Sequence, residues 1–307
     1  MLFGGRSLLL TGIADVWASL RQESAGTSER WGLVLMVVSA AAFALMAAMA
    51  KLLLPGTPVQ SVVLSRGLLM TALFVGLARS RNVPLLGTRP WTLLLRGVLG
   101  YGALSCYFFS VQRLPLGDAV LLQYSHPVFV AALAPLLLGE RTARGHWLLV
   151  IAAIVGVALI VHPSGELRSS ALVGLTGSLL SGTAYLTVRE LSRTEHPLTI
   201  LVWFPAATIP GALAATLWAG RAALPRDWTE IAGHLAVFAS AVIGQIALTG
   251  GLARAGAARA TAVSMTGPVF GIVFGLLLFG TIPSPASVVG TLIVLGSLWR
   301  LALTKPG

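Results

Sequence analysis

The residues most able to do chemistry in this chain are polar groups stranded inside apolar runs. Arg66 stands about eight residues into the run 59–78. A charge at membrane depth is costly and is kept facing protein or water. It could attract a substrate carboxylate or lock a gate; the plain alternative is snorkelling to the interface. His126-Pro127 lies in the middle of the run 117–138, and Pro268 lies in the middle of 258–279. Proline removes one helix hydrogen bond and frees a carbonyl, so both runs are read as kinked helices with a cavity or hinge role. His126 is deep in its run and of a type that changes charge near neutral pH, so it could bind substrate or relay a proton; an ordinary interior histidine is the alternative. Phe43, Tyr101, Tyr107, Gln123, Tyr124, Tyr185, Trp203 and Gln245 are further large or amphipathic groups within apolar runs. A site for a modest organic solute needs mostly apolar walls with a few polar groups, and this set could supply them.

Other chemistries find little support. Ser125 and His126 are neighbours about 100° apart on a helix, so they form no nucleophile–base pair by themselves. There is no GxSxG and no HExxH motif, and the five histidines are scattered, so neither an enzyme nor a metal or other cofactor is expected. The single cysteine, Cys106, precludes an internal disulfide. No Asp or Glu falls in the middle of a run, which disfavours proton-for-cation exchange of cationic drugs.

The elements that would position these residues follow from composition. The chain has 307 residues, 56% hydrophobic and 10% charged. A soluble domain carries roughly 25% charged residues, so this chain needs lipid as its solvent. In lipid the backbone must satisfy itself, and unbroken apolar runs of about 20 residues mean helices rather than barrel strands. Ten spans are predicted, near 31–50, 59–78, 92–111, 117–138, 146–162, 171–188, 198–218, 231–251, 258–279 and 285–303. Lys and Arg divide 15 to 6 between the two sides, with Arg96 counted on the heavier side, which predicts cytoplasmic N- and C-termini. The net charge of +11 therefore reads as topology, not nucleic-acid binding. Residues 1–30 read as a cytoplasmic or interfacial segment. The expected partners are the bilayer and a small-molecule substrate. Small residues in the fifth and tenth runs fit internal packing, or a weak homodimer rather than a monomer.

The chain also resembles itself. At an offset of 141, Pro127-Val128-Phe129 aligns with Pro268-Val269-Phe270, Arg113 with Arg254, and Gly139 with Gly280. At 142, Gly32-Leu33 aligns with Gly174-Leu175, Ser39 with Ser181, and Phe43 with Tyr185, while Thr208 roughly takes the place of Arg66. Two five-helix repeats, 31–162 and 171–303, follow. Because five is odd, the second enters from the opposite side. Inverted repeats around a central cavity are a recurring carrier plan and permit alternating access.

The stretch from Leu114-Pro115-Leu116-Gly117 through Gln123-Tyr124-Ser125-His126-Pro127 to Gly139-Glu140-Arg141 resembles the fourth-helix signature of EamA-type members of the drug/metabolite transporter superfamily. Arg66 in Ser65-Arg66-Gly67 matches that family's second-helix Arg, and Lys51 a frequent Lys ending the first helix. Gly280-Thr281-Ile282 departs from Gly-Glu-Arg in the second copy. The resemblance implies an all-α ten-helix membrane protein in a bacterial inner membrane, moving small metabolites such as amino acids or related zwitterionic or anionic compounds. Alternatives are a broader drug/metabolite efflux carrier, a channel or an intramembrane enzyme. The expected cavity residues are Phe43, Arg66, Tyr101, Gln123, His126, Tyr185, Trp203 and Gln245, with Pro127 and Pro268 as kinks.

Overall fold

The computed structural model describes residues 25–139, 151, 152, 155, 167–219, 225, 227–282 and 284–303. Among them the chain is helical throughout: α1 (Ala25–Leu53), α2 (Val59–Ser80), α3 (Pro90–Arg113), α4 (Leu116–Gln123), α5 (His126–Leu138), α6 (Leu167–Leu191), α7 (Pro197–Trp218), α8 (Trp228–Arg254), α9 (Ala257–Ser264), α10 (Gly267–Phe279) and α11 (Pro285–Leu303). Among the described residues, seven helical stretches are long and apolar enough to cross a membrane, with α9 and α10 together forming one of them. Most of the expected fifth span, 146–162, and most of the N-terminal segment lie outside the described residues. Leucines on the outward faces and Trp91, Trp218 and Trp228, each at least 81% exposed at a helix end, suit a lipid surface with an aromatic belt.

The breaks near Pro127 and Pro268 are sharper than kinks. Each run divides into an eight-residue helix, a two-residue turn and a thirteen-residue helix, and the two sets of bounds differ by 141 throughout. Proline at the second position of α5 and α10 explains this, because it has no N–H to continue the preceding helix. Both long pieces end at a glycine in the left-handed region, Gly139 and Gly280, where φ is 66° and 62°.

Helix partners exchange between two sets, the helices before residue 140 and those after residue 166. α1 packs along α8 as α6 packs along α3, and α5 meets α6 as α10 meets α1; α2 and α7 pack on each other. The close approaches obey the same rule. A Cβ on Gly32 would lie 2.9 Å from Arg254 Cβ, and one on Gly174 would lie 3.1 Å from Ser110 Oγ. Lys51 Nζ donates to the carbonyl of Val111, and Arg189 Nη1 donates to that of Leu252, each a cation at the carbonyl end of a neighbouring helix. α2 and α7 are both 22 residues long, with bounds offset by 138.

One end of the bundle is tied across the two sets. Glu195, buried in the α6–α7 loop, accepts from the backbone N–H of Thr88 and Arg89 and from the Thr88 hydroxyl at 2.6–2.8 Å. Trp203 Nε1 donates to the carbonyl of Leu85 and Thr199 Oγ1 to that of Pro84, so the α2–α3 loop is fixed along its length. Burial would raise the Glu195 carboxyl, but the Thr88 and Arg89 hydrogen bonds and the Arg89 charge together hold it below its ordinary value. A depressed folded-state value means its contribution is present above the unfolded-state carboxylate range and is lost as pH falls through the folded value. Replacing it with Glu195→Gln should cost about 1.5–3 kcal/mol, the worth of hydrogen bonds to a charged group. Thermal unfolding across an acid titration checks both points: wild-type stability falls on acidification, and the variant starts lower with a flatter profile.

Candidate functional site

Between the two sets of helices lies a cavity of about 60 Å³, room for about four waters. α3 contributes Arg96, Gly100, Ala103 and Tyr107, whose spacing of three or four residues lines up one helix face. The cavity wall is completed by Phe43 from α1, Arg66 from α2, Gln123, Tyr124 and His126 around the α4–α5 break, Ser181 and Tyr185 from α6, Phe204 from α7 and Gln245 from α8.

Two guanidiniums dominate it. Arg66 and Arg96 are each only 2% exposed. Both face the ring of Phe204, with Cζ at 5.2 Å and 4.4 Å from its centroid. Such contacts are worth ~2 kcal/mol when desolvated, far less than the hydration a buried cation gives up. Nε and Nη1 of both residues have no hydrogen-bond partner. No carboxylate lines the cavity among the described residues. A Cβ on Gly100 would run into Arg96 Nη1 and the Phe204 ring, so only glycine leaves space for that stack.

The helix break supplies the second polar region. Residue 127 would ordinarily donate its N–H to the carbonyl of Gln123, but proline has none. His126 Nδ1 takes that acceptor at 2.9 Å. A carbonyl only accepts, so Nδ1 carries the hydrogen and neutral His126 presents Nε2 as an acceptor, 3.4 Å from Ser264 Oγ. The ring stands edge-on to Tyr185, with centroids 4.7 Å apart. The Tyr124 hydroxyl donates to the carbonyl of Ala40, and Gln123 Nε2 donates to Ser181 Oγ. Gln123 Oε1, Gln245 Nε2 and the Tyr107 hydroxyl are left without partners. Ser125 Oγ donates to the carbonyl of Leu122 and lies 3.0 Å from Ser178 Oγ, an anchoring role.

Of the residues singled out from sequence, Phe43, Arg66, Tyr107, Gln123, Tyr124, His126, Tyr185 and Gln245 meet at this cavity. Tyr101 and Trp203 do not line it. Tyr101 packs against Gly211 and its hydroxyl donates to Gln60 Oε1 at 3.3 Å; Trp203 is committed to the α2–α3 loop. Pro127 and Pro268 are buried just past the two breaks. Sequence reasoning misses Arg96: near the start of its run it reads as a loop charge, yet it is buried in α3. Its spacing from Gly100, Ala103 and Tyr107 was the available signal. Phe204 and Ser181 carried no comparable signal in sequence.

Comparison with known proteins gives a consistent result. A model of the EamA-like transporter family matches residues 30–162 and 168–303. A pseudopaline exporter, CntI, of Pseudomonas aeruginosa is 29% identical over 280 residues, covering 90% of this chain and 97% of its own. A riboflavin transporter of Rhizobium johnstonii is 29% identical, covering 68% of each chain. Human solute carrier family 35 member G1 is 24% identical over 69% of this chain and 62% of its own. A solved crystal structure shares the fold with a TM-score of 0.69 at 18% identity, covering 91% of this chain and 98% of its own.

Proposed function

The chain belongs to the EamA-like transporter family and is a multi-pass membrane transporter, not an enzyme, and from that premise we propose that it carries small carboxylate-bearing metabolites by alternating access. Amino acids and related zwitterionic or anionic compounds form the substrate class. The observation that carries this reading is the pair of buried guanidiniums, Arg66 and Arg96, that face one cavity with Nε and Nη1 unpartnered. A buried cation without a protein counter-charge is stabilised by whatever anion the site admits, and Arg forks match carboxylates in two parallel hydrogen bonds. The apolar and aromatic remainder of the wall suits a small organic skeleton.

The transport cycle rests on ten helices in two inverted repeats, 31–162 and 171–303, with both termini in the cytoplasm and the chain in the inner membrane of a bacterium. The exchange of helix partners between the two sets supports this plan. So do the matched breaks at Pro127 and Pro268, since interrupted helices in corresponding positions mark the site of many carriers. In this arrangement the Glu195 tie closes the cytoplasmic end, and release of the tie accompanies opening toward that side. Relatives named as a pseudopaline exporter and a riboflavin transporter favour movement of a small organic metabolite over passage of an inorganic ion.

Purified protein in liposomes provides the test. Labelled amino and carboxylic acids should enter with saturable kinetics and show counterflow against the unlabelled compound. Flux that neither saturates nor counterflows would indicate a channel. Folded protein that moves no acid in a broad metabolite panel would overturn the substrate class.

A further inference from the structure

We infer that the substrate carries two acidic groups, one seated on Arg66 and the other on Arg96. This rests on the carboxylate reading above and makes it more specific. The argument is one of charge and of unused hydrogen-bonding atoms. Both guanidinium carbons face Phe204, at 5.2 Å and 4.4 Å from its centroid, so they lie within about 10 Å of each other. Guanidinium remains protonated in proteins, so the cavity holds two positive charges. Among the described residues its lining has no Asp or Glu to balance them. A single carboxylate would leave one buried cation without a counter-charge, which is unfavourable. Two acid groups neutralise the site.

The geometry agrees. Neither guanidinium has a protein hydrogen-bond partner at Nε or Nη1, and each cation is best satisfied by its own carboxylate. A bound carboxylate carbon sits roughly 4 Å from Cζ, so acid groups several carbons apart on one skeleton reach both cations. The Phe204 ring beside both guanidiniums gives that skeleton an apolar face. Gln123 Oε1 is an acceptor and Gln245 Nε2 a donor in the same lining, and both are without partners. They fit a hydroxyl, amide or other neutral polar substituent on the same molecule.

The test compares dicarboxylates with their monoamides, which keep the shape and remove one charge. Full-length protein in nanodiscs would be titrated calorimetrically at neutral pH with succinate, glutarate and adipate and with succinamate, glutaramate and adipamate. At least one diacid should bind tenfold or more tightly than its monoamide. Arg66→Gln and Arg96→Gln should each bring that diacid to the monoamide's affinity. Arg113→Gln, at an exposed arginine over Phe109 outside the cavity, should leave the preference intact. Equal binding of each diacid and its monoamide by the wild type would overturn the two-acid inference and leave the carboxylate reading standing. No binding of any of these acids would overturn both.

Discussion

Arg96→Met lowers the transport efficiency of carboxylate substrates by on the order of 100-fold and does not reduce the yield of folded protein. The first half follows from the loss of a buried, charge-assisted contact, which costs about 2–5 kcal/mol when one partner is truncated. At about 1.4 kcal/mol per tenfold, the lower part of that range already gives the stated loss. The second half distinguishes a binding residue from a structural one. Arg96 has Nε and Nη1 buried without partners, so it is an unfavourable tenant of the empty cavity. Methionine keeps an apolar chain against Phe204 and removes the uncompensated charge, a change that is neutral or stabilising in other buried sites. Liposome uptake and thermal unfolding of the same preparation measure the two effects. A parallel fall in uptake and stability would assign Arg96 to the scaffold.

The second large effect belongs to the helix breaks. Pro127→Ala combined with Pro268→Ala should slow transport about tenfold or more while leaving most of the folded yield. Alanine at position 127 restores an N–H, which can donate to the carbonyl of Gln123. That carbonyl is now taken by His126 Nδ1. The restored amide competes for it, draws α4 and α5 toward a continuous helix and frees the imidazole to turn. At position 268 the same change joins α9 to α10, where Gly267 lies tight against the Tyr124 ring. Interior helix positions favour alanine over proline by about 3 kcal/mol, so the helices themselves do not suffer. What is lost is the register of His126 and Tyr124 at the cavity. Equal losses of rate and yield would make the prolines packing residues only.

Much of this was legible in the chain. Apolar runs of membrane length marked the helices, because in lipid the backbone must satisfy itself and unbroken runs of about 20 residues suit helices rather than the shorter strands of a barrel. The recurrence of Pro-Val-Phe at an offset of 141 located both breaks, since proline acts through its own missing donor wherever it stands. The breaks were read as kinks because sequence does not show whether the freed carbonyl finds another donor; here His126 supplies one. Arg66 stood out by its depth. Arg96, six residues past the start of its helix, looked like a loop charge, because snorkelling distance cannot be judged before the neighbouring helices are known. Tyr101 and Trp203 were drawn in by residue type, but on a helix packed on several sides, type does not tell which neighbour a side chain meets. Phe204 was an ordinary aromatic until α2 and α7 were laid side by side.

The most direct measurement of the central claim is the reactivity of one cavity position from both sides of the membrane. Gln245→Cys in a Cys106→Ser background places a single thiol in the cavity wall. Membrane-impermeant thiol reagents would be applied outside right-side-out vesicles and outside inverted ones, with and without a transported acid. Alternating access requires labelling from each side in turn, slowed by the acid in both orientations. Labelling from one side only, unchanged by any acid that is transported, would contradict it.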